Sequence, residues 1–323
     1  VADDRAPRGA PPEYRRPAHG VTGVGLSLSH SADSLRELGP ALDRFERLGI
    51  ASAEIFLPAL GVVVGGAVRR TALGELRRIC ADRPFGLTLH GPLSGNLGDW
   101  RNAALHRDVC RASLETCAEI GASALVQHAT VVRAPEPDSI ARALACEREA
   151  LAALAPEAHA ARVALCVETM FGRADEWAAS PEELARQLAA VDNPWVGATI
   201  DFSHSLLNAT ARGFDYVASL TALAPFARHL HIHDSYGRLP PFRPWSRGDA
   251  IMFGVGDLHL PPGAGGIPWD ELAALPFRGP AVANLELDAR WEHEWDEAID
   301  WTRRWIDHTR TFAEFAPARA GTR

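Results

Sequence analysis

Apolar runs of strand length recur along the chain, separated by longer stretches in which apolar residues return every three to four positions. The runs cover Val21–Leu28, Ala51–Leu57, Phe85–His90, Ser123–His128, Val163–Glu168, Val196–Asp201, Leu230–His233 and Ala281–Leu287. The spacing between them predicts helices, among them Leu35–Leu48, Asn102–Ile120, Ser139–Ala153 and Glu182–Val191. Ser180-Pro181-Glu182-Glu183 carries a full helix-start signal: a capping Ser, Pro at the first helical position and a Glu three residues after the cap. Eight strand–helix units with no break in composition point to an α/β fold, a single parallel (β/α)8 barrel. Spacing by itself also fits a doubly wound sheet.

Alternation within the strands separates two faces. In Val163-Ala164-Leu165-Cys166-Val167-Glu168 the bulky apolar residues share one parity and Glu168 falls on the other. Phe85–His90 and Val196–Asp201 repeat the pattern. Side chains alternate across a strand, so the bulky set can face outer helices while the small and polar set points into a barrel. The ionisable residue comes last each time. That position is the C-terminal mouth, where barrel enzymes carry their chemistry.

Composition adds limits. The chain of 323 residues is 47% apolar and 23% charged, enough to bury a large core. No apolar run approaches the roughly 18 residues of a membrane span, and residues 1–20, rich in Arg, Pro and Ala, lack the apolar segment of a signal peptide. The expected organisation is a leader over 1–20, the barrel over 21–315 and a tail over 316–323. Thirty-three basic against forty-one acidic residues leave a formal charge of −8. That argues against charge-driven binding to nucleic acid or an anionic membrane. Five cysteines, odd in number and without CxxC spacing, read as buried free thiols of a cytoplasmic protein.

The strand ends collect one residue set. Strand three closes on His90, strand four on His128 and strand five on Glu168. Strand six ends in Asp201-Phe202-Ser203-His204 and strand seven in His231-Ile232-His233-Asp234-Ser235. The next loop carries Asp257-Leu258-His259, and strand eight ends at Glu286. Each residue alone has an ordinary structural explanation. Together, so many buried ionisable groups would repel and lose hydration at a cost that bound cations offset. Mixed imidazole and carboxylate donors suit Zn, Mn, Fe or Co, with one to three divalent ions per chain.

With those residues in hand, the chain resembles the xylose isomerase-like TIM-barrel superfamily, which includes sugar phosphate isomerases and epimerases and the DNA-repair enzyme endonuclease IV. The resemblance runs from about Val21 to Trp305 and rests on HxPxxxNL, the strand-five Glu, DxxH, HxHDS, DxHxxxGxG and the strand-eight Glu. It implies that Glu168, Asp201, His231 and Glu286 hold the metal shared by the isomerases. It also implies that His90, His128, His204, Asp257 and His259 complete a three-metal set like that of endonuclease IV. His233 stands where that repair enzyme has an amide, which makes it a substrate or supporting contact. Glu54, ending strand two, is either a substrate contact or a barrel-core acid.

The departures bear on substrate. The loops after strands two and three read Leu57-Pro58-Ala59-Leu60-Gly61-Val62 and Leu93-Ser94-Gly95, without the Arg and Tyr that a DNA wedge requires. The long segment 236–255 instead reads as a loop or lid after strand seven, bringing Arg238, Arg243, Arg247, Phe242, Trp245 and Phe253. Arg238, Arg243 and Trp245 are the candidate substrate contacts; the arginines of the segment either hold a phosphate or carboxylate or form a solvated face. The favoured chemistry is isomerisation or epimerisation of a small sugar or sugar phosphate, with Glu168 and Glu286 moving protons beside a metal-bound carbonyl. A multinuclear phosphoester hydrolase is the alternative, since it uses all nine donors; abasic DNA is its less favoured substrate. The implied partner is a small carbohydrate or phosphorylated molecule, with no membrane and with nucleic acid disfavoured; a homo-oligomer stays open.

Overall fold

The computed structural model describes residues 20–28, 32–173 and 175–315. The expected leader, apart from Gly20, and the tail over 316–323 lie outside the described residues. Eight parallel strands close into a barrel: β1 (Val21–Ser27), β2 (Ser52–Phe56), β3 (Gly86–His90), β4 (Ala124–His128), β5 (Ala164–Glu168), β6 (Val196–Asp201), β7 (Ala227–Ile232) and β8 (Ala281–Leu285). Neighbours in space follow chain order, and β1 pairs with both β2 and β8. Closure removes the doubly wound alternative.

Helices α1 (Leu35–Arg47), α2 (Arg70–Cys80), α3 (Ala103–Ile120), α4 (Pro137–Ala161), α5 (Pro181–Val191), α6 (Phe202–Arg212), α7 (Tyr216–Leu223), α8 (Arg247–Phe253), α9 (Trp269–Leu272) and α10 (Trp295–Phe315) follow in order. The start of α5 matches its signal: the Ser180 hydroxyl accepts from the Glu183 amide at 3.2 Å, and the Glu183 carboxylate accepts from the Ser180 amide at 2.7 Å. Helix α4 runs past Pro156, beyond the span expected from sequence, because its buried face continues through Leu154, Ala155 and Ala158. Strand β7 begins at Ala227, ahead of its apolar run, since Arg228 and His229 interrupt that run. None of the described helices is long and apolar enough to cross a membrane. All five cysteines are free, and all but Cys146 are buried.

The two strand faces separate as alternation requires. Leu165, Val167, Ile200, Leu87 and Leu89 join the hydrophobic core between strands and helices. Glu54, Thr88, Thr199, His229 and Asn284, on the opposite parity, fill the barrel interior. Register then decides neighbours: His128 lies beside Glu168, and Asp201 lies beside His231. At the mouth, the short antiparallel pair Val131–Arg133 and Glu176–Ala178 walls one side.

The segment 236–255 differs from the expected loop: it holds helix α8. The Ser246 hydroxyl accepts from the Asp249 amide at 3.0 Å at one end, and Gly254 takes a left-handed φ of 63° at the other. Both signals are present in the sequence.

Asp234 fastens the next loop. Its carboxylate accepts from the Gly263 amide (2.8 Å), the Ile267 amide (3.2 Å) and the Trp269 indole (2.9 Å), while its backbone exchanges two bonds with Leu260. Gly265 passes so close to Asp234 that a β-carbon would lie 2.3 Å from Oδ1. Trp269 in turn packs against Phe202, Trp301 and Trp305. The loop carrying Asp257 and His259 is thus tied to the core. Hydrogen bonds to a charged group contribute about 1.5–3 kcal/mol each. Asp234→Ala is therefore expected to destabilise the fold by at least about 3 kcal/mol, read as a lower urea midpoint at unchanged slope; a shift under about 0.5 kcal/mol contradicts this role.

Candidate metal centre

The strand ends and the Asp257–His259 loop bring all nine expected donors into one mouth. Three groups form. In the first, His90 Nε2 and His128 Nε2 lie 3.3 and 3.4 Å from Glu168 Oε2. In the second, His231 Nδ1 lies 3.2 Å from Glu168 Oε1, 3.2 Å from Glu286 Oε2 and 3.7 Å from Asp201 Oδ2. In the third, Asp257 Oδ2 lies 3.4 Å from His204 Nε2 and 2.6 Å from His259 Nε2. Glu168 contributes one oxygen to each of the first two groups.

Five of these seven separations fit shared cations; His259–Asp257 at 2.6 Å is a hydrogen-bond distance, and His231–Asp201 at 3.7 Å is somewhat longer. Two donors each about 2.1 Å from one ion, at octahedral to tetrahedral angles, lie roughly 3.0–3.5 Å apart. Most of the distances fall at or beyond the long end of N–H···O bonding. Glu168 Oε2 is moreover buried without a hydrogen-bond partner among the described residues, which a native site explains through an ion or water.

The ring orientations agree. His90 Nδ1 donates to the Gly91 carbonyl (2.8 Å), His128 Nδ1 to the Leu93 carbonyl (2.9 Å) and His259 Nδ1 to the Glu286 carbonyl (2.7 Å). Each bond fixes the tautomer and leaves the inward nitrogen for a cation. His231 is turned the other way, with Nε2 donating to Glu54 Oε2 at 3.3 Å. Glu54 also pairs with His229 at 3.2 Å and accepts from Asn284 at 3.2 Å. His259 holds φ at 49°, an uncommon conformation for a side-chain-bearing residue. That backbone turns its ring into the third group.

The charges brace one another. Burial pulls His90, His204, His231 and His259 down, but the surrounding carboxylates outweigh it and hold all four above the ordinary imidazole range, His90 at about 9. Burial lifts Glu168, Asp201, Asp257 and Glu286, and the imidazoles outweigh it in the opposite direction. Glu54 is held at about 2, burial again outweighed by His231 and His229. At His128 burial dominates, giving about 4.

The mouth opens into a cavity of about 880 Å³. Glu168, Glu286, His90, His128, His204, Asp257 and His259 line it, beneath a rim that includes Phe56, Trp100 and Phe171. Several expected substrate contacts lie elsewhere. Glu54 is fully buried under His231, which makes it the barrel-core acid rather than a substrate contact. His233 is also fully buried: its Nε2 is 2.9 Å from Asp201 Oδ2, and its ring stacks on His259 at 4.1 Å. Arg238 packs over Tyr236, Arg243 is exposed and Trp245 is 98% exposed; none lines the cavity. The capped helix α8 accounts for this, because it aims Arg247 inward. Sequence reading missed His229 as a buried partner of Glu54. Its inward parity, two residues before His231, was the available signal.

A family model described as xylose isomerase-like TIM barrel matches residues 30–305. The chain belongs to the xylose isomerase-like TIM barrel family. No curated protein matches the sequence. Among solved structures, a D-tagatose 3-epimerase-like protein superposes with a TM-score of 0.65 at 17% identity, over 91% of this chain and 99% of the other. The IolI protein with a bound zinc atom gives 0.63 at 17%, over 90% and 99%. A Thermus thermophilus protein, TTHB071, soaked with zinc chloride, gives 0.59 at 21%, over 86% and 98%. These likenesses establish the fold.

Two outcomes follow for metal binding. Protons and cations compete for the imidazoles, and raised imidazoles keep their protons at neutral pH. Affinity should therefore rise with pH up to about 9, by about tenfold per unit for each proton released; chelator competition across that range measures it, and a flat profile contradicts it. Glu168→Gln should lower the metal content more than His128→Ala does, because Glu168 serves two groups. Elemental analysis of both variants decides this.

Proposed function

We propose that the chain is a divalent-metal-dependent isomerase or epimerase of a small sugar or sugar phosphate. The observation that carries this reading is the meeting of Glu168, Glu286 and Asp201 around one nitrogen of the buried His231, with Glu168 and Glu286 also lining a cavity sized for a small molecule. His231, Asp201, Glu168 and Glu286 would hold the shared cation, which polarises a substrate carbonyl and acidifies the adjacent C–H. Glu168 and Glu286 both line the cavity, each beside His231 Nδ1. One carboxylate takes the proton from the carbon next to the carbonyl, and the other returns a proton to the neighbouring atom or the opposite face. His233, fixed on Asp201, and Glu54, fixed on His231, orient those ligands. The rim aromatics Phe56, Trp100 and Phe171 give sugar carbons an apolar wall and limit water.

The group around Asp257 and His259 is not needed for proton transfer. It fits a substrate's phosphate, held through cations. It also favours the second reading, a multinuclear phosphoester hydrolase, as does the division of Glu168 between two donor groups. Abasic DNA is the weaker hydrolase substrate, since the expected wedge residues are absent from the loops after β2 and β3.

Purified protein of counted metal content separates the readings. Solvent deuterium should enter the C–H beside the carbonyl in a panel of ketoses and ketose phosphates, and a bis-aryl phosphodiester should stay intact. Phosphodiester turnover at three metals per chain without such exchange overturns the isomerase reading. His259→Ala should leave part of the exchange activity, whereas a three-metal hydrolase would lose at least about two orders of magnitude.

A further inference from the structure

The segment 236–255 carries one side chain into the cavity, and its surroundings are unusual. Arg247, the first residue of α8, lines the cavity beside Asp257, His259 and Glu286. Its Nε pairs with Asp288, whose carboxylate also binds Arg290 at 2.7 Å and whose amide donates to the His259 carbonyl at 3.2 Å. The Arg247 guanidinium is thus fixed, through Asp288, to the backbone of a candidate metal ligand. Its Nη2 atom is buried and, like Nε apart from that ion pair, has no hydrogen-bond partner among the described residues, although the side chain as a whole is 36% exposed. A buried guanidinium donor without an acceptor costs on the order of 1–3 kcal/mol, and such a donor calls for a ligand. Arg101 and Arg173 line the same cavity, so the mouth of an acidic chain presents guanidinium groups above its ligand floor.

We propose that Arg247 is the residue that reads an anionic group of the substrate, a phosphate or carboxylate held between its free Nη2 and the Asp257–His259 group. A planar guanidinium already braced at Nε by Asp288 offers its remaining edge in a set direction, which suits a tetrahedral or planar oxyanion. The inference rests on the reading of this mouth as a small-substrate site, and it assigns the segment 236–255 to specificity. It also places that role on Arg247 rather than on the candidates Arg238 and Arg243, which do not line the cavity.

Calorimetric titration of the metal-loaded protein tests it, with inorganic phosphate and acetate as separate probes so that the two anion classes are told apart. Arg247→Gln should weaken binding of at least one probe by about tenfold or more, with metal content unchanged. Arg247→Lys, which keeps the charge and the Asp288 pair, should fall between the two. Arg186→Gln, an exposed change on α5, should bind as the parent does. Equal binding of both probes by Arg247→Gln and the parent overturns the assignment. Loss of metal or of folding in both Arg247 variants does so too, since it makes the residue a structural brace. Because the readout is anion binding, it stands apart from the exchange assay: absent C–H exchange with intact Arg247-dependent binding removes the isomerase reading alone.

Discussion

The structure turns on the cost of placing carboxylates and imidazoles together in a poorly hydrated barrel mouth. An isolated buried carboxylate loses several kcal/mol of hydration even after relaxation, and Glu168, Asp201, Glu286 and Glu54 are all buried here. Imidazoles bracket each of them at about 3 Å, so charge of both signs is interleaved through the mouth. Glu168 is the hinge of this arrangement, with its two oxygens directed to different histidines. The same interleaving makes the cluster tolerable without cations and gathers donors of the kinds that could hold them.

Layers beneath the cluster keep that geometry. Glu54, His229 and Asn284 form a buried polar layer under His231, and backbone carbonyls orient His90, His128 and His259 from the sides. A cation held by flexible ligands would leave substrate geometry loose; ligands locked by packing and further hydrogen bonds do not. The loop bearing Asp257 and His259 has no strand to hold it. Asp234 and the Trp269–Trp305 aromatic cluster substitute for one, and the left-handed backbone at His259 is retained because those anchors over-determine it.

The membership shown by the family match and the fold shared with epimerase structures agree with the motifs read along the chain, yet the reaction depends on details that vary within one fold. Two such details are the donor group around Asp257 and His259, and the helix α8, whose Arg247 lines the cavity.

Much of the site is legible from the chain because a strand has a period of two. Parity and position at a strand end place His90, His128, Glu168, Asp201 and His231 on the inner face without any coordinates. A helix-start signal likewise marks α5, and Ser246 with Gly254 marks α8 in the same way, although the length of the segment suggests a loop. Periodicity states which way a side chain points; it does not state what it meets. Which oxygen of Glu168 faces which histidine, whether Glu54 supports or touches substrate, and which arginine of the segment 236–255 reaches the cavity depend on strand register and on loops folding back across the mouth. The sequence by itself therefore determined the strand–helix repeat and the set of candidate donors at the strand ends. Only the tertiary structure decided their grouping, because distances between residues far apart in the chain are set by packing and closure.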